Sequence, residues 1–309
     1  MDLDSDKPKI IIICGPTGIG KTSVGIHLAE KFGGEIIGAD SMQIYRYMDI
    51  GTAKPTPQER SRIPHHMIDI VDPDEDFEAV QFSKRARTAI AAADTKGRRS
   101  FVVGGTGLYI KALLHGLFQS EPVDLEIRNR LKQELDRDGS RFLHERLKQS
   151  DPDTAARLHP NDSYRILRAL ETIESSGKSI SKLHRGHGFE DQRFNALKIG
   201  LRVDRADLYI RIDRRVDLMI QAGLVEEVKQ LLAMGYSAEL KSMQSIGYRH
   251  MVEFLTERLP WDECIRTLKR DTRRFAKRQF TWFGADPQIK WYAPDQRDQI
   301  IEAVERFLE

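Results

Sequence analysis

"KIIIIC", residues 9–14, runs directly into "GPTGIGKT", residues 15–22, and this junction decides the fold. The first stretch is a continuous apolar run of β-branched isoleucine, which predicts a strand buried on both faces of a sheet. The second fits the phosphate-cradling pattern G-x-x-x-x-G-K-[ST]. Its glycines let backbone N–H groups converge on phosphate oxygens, Lys21 adds a point charge, and the Thr22 hydroxyl can ligate Mg²⁺. "KTSVGIHLAEKF", residues 21–32, reads as the following helix, stopped by Gly33 and Gly34. The positive end of that helix would face the same phosphate. Gly15, Pro16, Thr17, Gly18, Ile19, Gly20, Lys21 and Thr22 are therefore the expected phosphate-binding residues. The motif is silent on which phosphate is held.

Working outward, "EIIGA" predicts a second short strand ending at Asp40. Residues 77–96 read as a helix with Phe77, Val80, Ala86 and Ile90 facing inward. "SFVVGG" predicts a third strand, and "TGLYIKALLHG" a helix that begins at the glycine turn. Strand–helix–strand alternation argues for an α/β fold, a P-loop NTPase-like core with a parallel sheet. From Val123 to about His187 the strand pattern stops, and densely charged segments of helical period take over. The last of these, "DSYRILRALETIESSGK", has Asp162 or Ser163 as its cap and Gly177 as its end. "NALKIGLRV" then returns as a strand. Three parts follow: residues 1–122, the first part of the core; 123–190, a helical insertion; and 191–309, a return to the core with basic C-terminal helices.

Composition narrows the class. Lys and Arg number 49 against 47 Asp and Glu, a net charge of +2, so total charge neither favours nor excludes nucleic acid. The two cysteines, Cys14 and Cys264, have no C-x-x-C spacing, which excludes a disulfide framework and a cysteine zinc site and fits a reducing cytoplasm. "MDLDSDKPK" at the start is polar, and the longest apolar run, Ile10–Cys14, is far too short to span a bilayer. A cytoplasmic protein without membrane contact is expected.

Several residues carry candidate chemistry. Asp40 ends a parallel strand on the side where open α/β sheets bind ligands, so it is either a general base or the cap of a helix starting at Ser41 or Met42. A phosphoryl-transfer enzyme would also need a carboxylate for its metal, and Asp40 and Asp69 are the weak candidates. "GGTG" at 104–107 is a second glycine turn, at which Gly104 and Gly105 would let the backbone approach a ligand and Thr106 offers a hydroxyl. The tandem His65 and His66 point to opposite faces of a strand and read as structural, not as metal ligands. Arg211 and Arg215, one helical turn apart, could clamp a diphosphate or pair with Asp207 or Asp213. Near the C-terminus, "KRDTRRFAKRQFTWF" sets Lys269, Arg270, Arg273, Arg274, Lys277 and Arg278 against the single Asp271. With Arg270, Arg273, Arg274 and Lys277 on one side and aromatics following, it is either a nucleic-acid backbone site or a solvated helix face.

Taken in order, "GPTGIGKT", "GADSMQIYRYMDIGTAKP", "HHMIDIVDP", "VVGGTGLYIKALLHG", "HPNDSYRILRALE", "RVDLMIQAGLVEEV", "QSIGYRH" and "KRQFTWF" resemble the bacterial tRNA dimethylallyltransferase, or IPP transferase, family. The resemblance runs from Ile10 to about Phe283. It implies transfer of a dimethylallyl group from dimethylallyl diphosphate to N6 of the adenosine 3′-adjacent to the anticodon, with the phosphate loop holding the leaving diphosphate. By the same resemblance Asp40 is the general base, Thr106 contacts diphosphate, Arg215 acts on the leaving group and Mg²⁺ is the cofactor. Contacts to the tRNA anticodon stem-loop carry over to Asp40, Ser41, Met42, Gln43, Thr106, Arg128, Tyr164, Arg165, Ile166, Leu167 and Arg168. They extend to Gln244, Ser245, Ile246, Gly247, Tyr248 and Arg249. The chain departs from the family pattern at Gly18 and Ile19, where a small residue followed by serine is usual, so no side-chain hydroxyl reaches the phosphate there. Lacking the cysteines of a zinc finger, it reads as a bacterial-type enzyme, expected as a monomer. Two other readings of the same residues are a P-loop kinase of small molecules or nucleosides and a non-catalytic RNA-binding protein.

Overall fold

The structure, a computed structural model, describes residues 7–116, 124–187 and 193–309. Six strands, β1 (Lys9–Cys14), β2 (Gly34–Gly38), β3 (His65–His66), β4 (Arg99–Val103), β5 (Asn195–Leu201) and β6 (Lys290–Tyr292), form one sheet in the order β3-β2-β4-β1-β5-β6. Every pairing is parallel. The helices are α1 (Lys21–Lys31), α2 (Pro57–Arg62), α3 (Ala79–Thr95), α4 (Gly107–His115), α5 (Leu125–Ser150), α6 (Pro152–Ala155) and α7 (Ser163–Ser176). After these come α8 (Ile180–His187), α9 (Arg205–Gln221), α10 (Leu224–Ala233), α11 (Tyr248–Leu255), α12 (Trp261–Gly284) and α13 (Arg297–Leu308).

The chain divides into two compact units, one of Met1–Leu114 with Arg193–Glu309 and one of His115–Gln192. In the first, the sheet is a P-loop-type α/β core. Ile10 through Ile13 are all essentially inaccessible, as a central strand covered on both faces requires. Ile11 and Ile13 join Phe101, Val103, Ile199 and Leu201 from the neighbouring strands, and α1, α9 and α13 close one face with Leu28, Ile212 and Val304. β3 is the His65–His66 pair, whereas β6, three residues long and too short to show a period, lies outside the expectation from sequence.

The second unit is helical. α5 is interrupted at Gly139 (φ 82°, ψ 166°), so it is two arms rather than one rod. Leu131, Leu143 and Leu147 of these arms pack on Ile166, Ala169 and Leu170 of α7. Asp162 caps α7 by accepting from the Arg165 N–H, and Gly177 ends it in the left-handed region.

Asp151 ties this unit together. Only 1% exposed, it accepts from the Thr154 N–H (3.2 Å) and hydroxyl (2.7 Å) and from the Ser181 N–H (2.9 Å). Burial pushes its pKa up, but the hydrogen bonds from Ser181 and Thr154 outweigh that and hold the carboxyl below its ordinary value. A carboxylate so depressed stabilises the fold fully above its unfolded pKa of about 3.9, and the contribution is lost as pH falls through the folded value. Asp151→Asn sets an amide N–H₂ against donors and is expected to cost about 1–3 kcal/mol at neutral pH. In thermal unfolding, the gap in Tm between wild type and variant should be constant from neutral pH down to about 5 and narrow below about 4. A gap that stays constant through the acid range would contradict this.

Candidate active site

The carboxyl ends of β1, β2 and β4 converge where the chain leaves β1 with β4 on one side and β5 on the other, the switch point at which open α/β sheets bind ligands. The phosphate loop spans the end of β1. Gly20, the N-cap of α1, brings no side chain, so the first N–H groups of the helix have no side-chain cap. Ile19 is fully buried in the core beside Ile212. Within the loop it can therefore contribute only backbone.

The β2 and β4 ends are laced together by main chain. Ala39 N–H donates to Val103 O (2.8 Å), Gly104 N–H to Ile13 O (3.1 Å) and Thr106 N–H to Ala39 O (3.0 Å). A Cβ on Gly104 would sit 2.0 Å from the Ala39 carbonyl oxygen. Gly104 thus accommodates the neighbouring strand end, and it also lines the cleft at these strand ends. Thr106 Oγ1 accepts from Ser41 N–H (3.0 Å) and donates to Ser41 Oγ (3.3 Å), so the two expected site residues are coupled.

A cleft of about 360 Å³ opens here, and Lys21, Thr22, Asp40, Gln43, Arg215 and Gln279 are among its walls. Lys21 Nζ donates to Pro16 O (2.8 Å). It is half-accessible by surface area yet deep beneath the surrounding chain, and burial lowers its pKa to about 8; Asp40 opposes that shift and Arg215 adds to it. Burial likewise lowers the Arg215 pKa, with Asp40 opposing. Asp40 Oδ1 accepts from Met42 N–H (2.9 Å) and Gln43 N–H (3.4 Å), as a cap does, but turns rather than a helix follow. Its Oδ2 makes no hydrogen bond among the described residues. Asp69 is committed elsewhere, paired with Lys54 (2.6 Å) and Arg60 (2.6 Å). Of the two alternatives for Arg211 and Arg215, both line the cleft, and the Asp213 carboxylate pairs with Arg273 instead.

The loop after Asp40 is held by a residue that sequence reasoning missed. Glu227 of α10 accepts from the N–H groups of Asp49 (2.9 Å), Ile50 (2.7 Å) and Gly51 (3.1 Å) and from the Tyr248 hydroxyl (2.6 Å). Gln43 Nε2 binds the Thr52 and Ala53 carbonyls, and buried Lys54 pairs with Asp49 and Asp69. No sequence pattern links Glu227 to a backbone segment so distant in the chain.

Among the expected tRNA contacts, the structure separates surface from core. Tyr248 is fully buried and bonded to Glu227, and Ile166 is fully buried in the helical unit, so both side chains pack rather than face solvent. Gln244 is exposed, Ser245 and Ile246 are half-buried, Gly247 is buried, and Arg249 pairs with Asp271 (2.8 Å). In the helical unit Tyr164 is 76% exposed, Arg165 pairs with Asp162, Leu167 is half-buried, and Arg128 and Arg168 share Glu171. On α12, Arg273 reaches back to Asp213 (3.1 Å) and lies over Tyr209, and Lys269 pairs with Asp217 (2.6 Å). Arg273 therefore leaves the expected stripe. Arg274 and Lys277 remain exposed, with Arg270 half-buried against Asp271.

A larger cavity of about 1030 Å³ lies against Tyr209, Phe280, Trp291 and Tyr292. It lacks the convergence of the phosphate loop, Asp40 and Arg215 found in the smaller cleft. Among the described residues His65 and His66 join no cluster able to hold a metal; His65 Nδ1 contacts Ile63 O and His66 pairs with Glu35. No described helix is long and apolar enough to cross a membrane.

The chain is similar to known proteins. Residues 43–286 match the protein family described as IPP transferase, and residues 8–69 the one described as isopentenyl transferase. The tRNA dimethylallyltransferase of Desulfosudis oleivorans is 52% identical over 305 residues, spanning 98% of this chain and 96% of its own. The crystal structure of the full-length tRNA isopentenylpyrophosphate transferase from Bacillus halodurans is 39% identical with a TM-score of 0.72, over 98% of this chain and 97% of that one. A eukaryotic dimethylallyltransferase acting on tRNA aligns at 30% identity and a TM-score of 0.79, over 97% of this chain and 79% of its own. With the phosphate loop, the Asp40 strand end and the glycine turn falling inside the matched regions, the chain belongs to the IPP transferase family.

Proposed function

We propose that the chain transfers a dimethylallyl group from dimethylallyl diphosphate to N6 of the adenosine 3′ to the anticodon in tRNA. The observation that carries this reading is the convergence of Lys21, Arg215 and Asp40 on one cleft, two cations and one carboxylate at the phosphate loop. Bond breaking between the allylic C1 and its oxygen sends the electron pair to the diphosphate. Lys21, Arg215 and the uncapped N–H groups of α1 stabilise that growing charge. N6 forms the new bond to C1 and gives up its proton to Asp40 Oδ2, while Oδ1 stays held by Met42 and Gln43. An exocyclic amine is a weak nucleophile, so a positioned base is worth roughly 10²–10⁴ in rate. Thr106 holds the Ser41 backbone and so sets the direction of Asp40.

The residues fit Mg²⁺. Thr22 offers a hard hydroxyl oxygen in the cleft, and no three acidic, His or Cys side chains form a cage among the described residues. The ion would therefore share Thr22 with phosphate oxygens and water. When bound it neutralises charge on the departing diphosphate. The reading as a P-loop kinase gains nothing from Asp69, whose carboxylate is already paired with two cations.

The target base must leave its stack to reach the cleft, at a cost of a few kcal/mol that a single-stranded anticodon loop keeps low. The tRNA is held by its backbone on Arg270, Arg274 and Lys277 of α12. The protein works as a monomer in the cytoplasm.

Lys21 generates a pH prediction. Because its pKa in the ligand-free protein is about 8, binding of an anionic diphosphate requires the protonated form and pulls that pKa up. KM for dimethylallyl diphosphate should therefore rise as pH increases through about 8. Lys21→Arg, which keeps its charge at every accessible pH, should bind more weakly but without that alkaline rise. A wild-type KM that stays flat well above the Lys21 pKa of about 8 would refute the assignment.

The stripe on α12 generates another. Log affinity for tRNA should fall linearly with log salt, and Arg274→Gln or Lys277→Gln should each flatten the slope by about 0.7–0.9. Unchanged slopes would make the stripe a solvated face.

A further inference from the structure

One buried polar side chain in the cleft wall has no part in the chemistry just described. Gln279 projects from the inner side of α12 and is 7% exposed. Its Oε1 accepts from the Thr17 N–H of the phosphate loop (2.8 Å), and its Nε2 donates to the Gly105 carbonyl of the β4–α4 turn (2.9 Å). The two partners are 262 and 174 residues away in sequence, and the side chain is the only bridge of this kind between loop and turn among the described hydrogen bonds. The turn is shaped to receive it. A Cβ on Gly105 would lie 2.3 Å from Gln279 Nε2, and one on Gly107 2.0 Å from Trp282 Nε1 three residues further along the same helix. Two of the glycines in "GGTG" thus admit α12, not a ligand.

We infer that Gln279 is a positioning residue: it sets the spacing between the phosphate loop and the turn that carries Thr106, and with it the distance between the diphosphate and Asp40. The inference rests on the proposed prenyl transfer. The chemistry demands an amide. One end must accept from an N–H and the other must donate to a carbonyl, and the second of these bonds is buried. Glutamate can keep the Thr17 contact but turns a carboxylate oxygen toward the Gly105 carbonyl and adds negative charge beside the bound diphosphate. Methionine fills the volume and makes neither bond. Asparagine is too short to reach both partners. With the bridge gone, the loop N–H groups and Lys21 lose their fixed aim at the leaving group, while α12 keeps its outward cations, Arg274 and Lys277.

The test compares wild type with Gln279→Met, Gln279→Glu and Gln279→Asn in steady-state prenyl transfer, alongside calorimetric binding of inorganic diphosphate. Positioning predicts that KM for dimethylallyl diphosphate rises about tenfold in Gln279→Met and further in Gln279→Glu, with KM for tRNA within about twofold of wild type. Diphosphate affinity should weaken in the same order, and Gln279→Asn should fall between wild type and Gln279→Met. A purely structural glutamine predicts something else: a lower Tm and a smaller active fraction, hence reduced kcat, with both KM values and diphosphate affinity unchanged. That result would overturn the inference, as would Gln279→Glu binding diphosphate as well as wild type does. A wild-type protein that binds diphosphate but transfers no prenyl group would instead remove the functional reading, and the diphosphate arm would still judge Gln279.

Discussion

The contact on which the site depends is the approach of Gly104 to the Ala39 carbonyl. The end of β4 and the end of β2 lie so close that a single added carbon would fall 2.0 Å from that oxygen. Only a residue without a Cβ lets the Ala39, Gly104 and Thr106 amides find their carbonyl partners across three strand ends. Those bonds bring Thr106 to the Ser41 N–H, and the turn after Asp40 then presents one carboxylate oxygen to the cleft while the other stays tied to main chain. The geometry of the proposed base is thus a consequence of backbone packing that brings the Thr106 hydroxyl to the Ser41 N–H.

Charge follows the same logic of placement. Lys21 and Arg215 sit where burial disfavours their ionisation, and Asp40 opposes that shift in both. Such a site is uncomfortable when empty and gains most when a multiply charged anion arrives, because the ligand replaces the missing solvation. Around it, the segment from Asp49 to Lys54 is pinned by Glu227, Gln43 and two ion pairs, so the cleft wall opposite the phosphate loop has little freedom to drift. Preorganisation of this kind is where most of the rate gain in polar sites originates.

How much of this was legible in the sequence depends on the range of each interaction. β1, the phosphate loop, α1, α3, α4 and the strand β5 announce themselves through local period and glycine punctuation, and the helical run after residue 123 through its density of charge. Asp40, Thr106 and Arg215 stand out at a strand end, a glycine turn and a helix face, the family resemblance implies their roles, and the structure gathers Asp40 and Arg215 in one cleft with Thr106 coupled to it through Ser41. Strands of two and three residues, β3 and β6, carry no period at all, being defined by their neighbours. Glu227 and Gln279 were silent for a related reason, since their partners are backbone groups with no residue-type signature. The inward facing of the Tyr248 and Ile166 side chains was not legible, because a motif reports which residues matter without saying whether the side chain faces solvent or core. Arg273 left the basic stripe once Asp213 of α9 proved to be within reach.

The central claim is that Asp40 takes the proton from the attacking amine, and the most direct measurement is the single-turnover rate of Asp40→Asn with saturating tRNA and dimethylallyl diphosphate. Asparagine keeps an oxygen for the Met42 and Gln43 N–H groups, so the turn survives while the proton acceptor is lost. The account predicts a rate reduced by roughly 10²–10⁴ with tRNA affinity little changed. A single-turnover rate equal to wild type would show that Asp40 only caps its turn, and would contradict the mechanism.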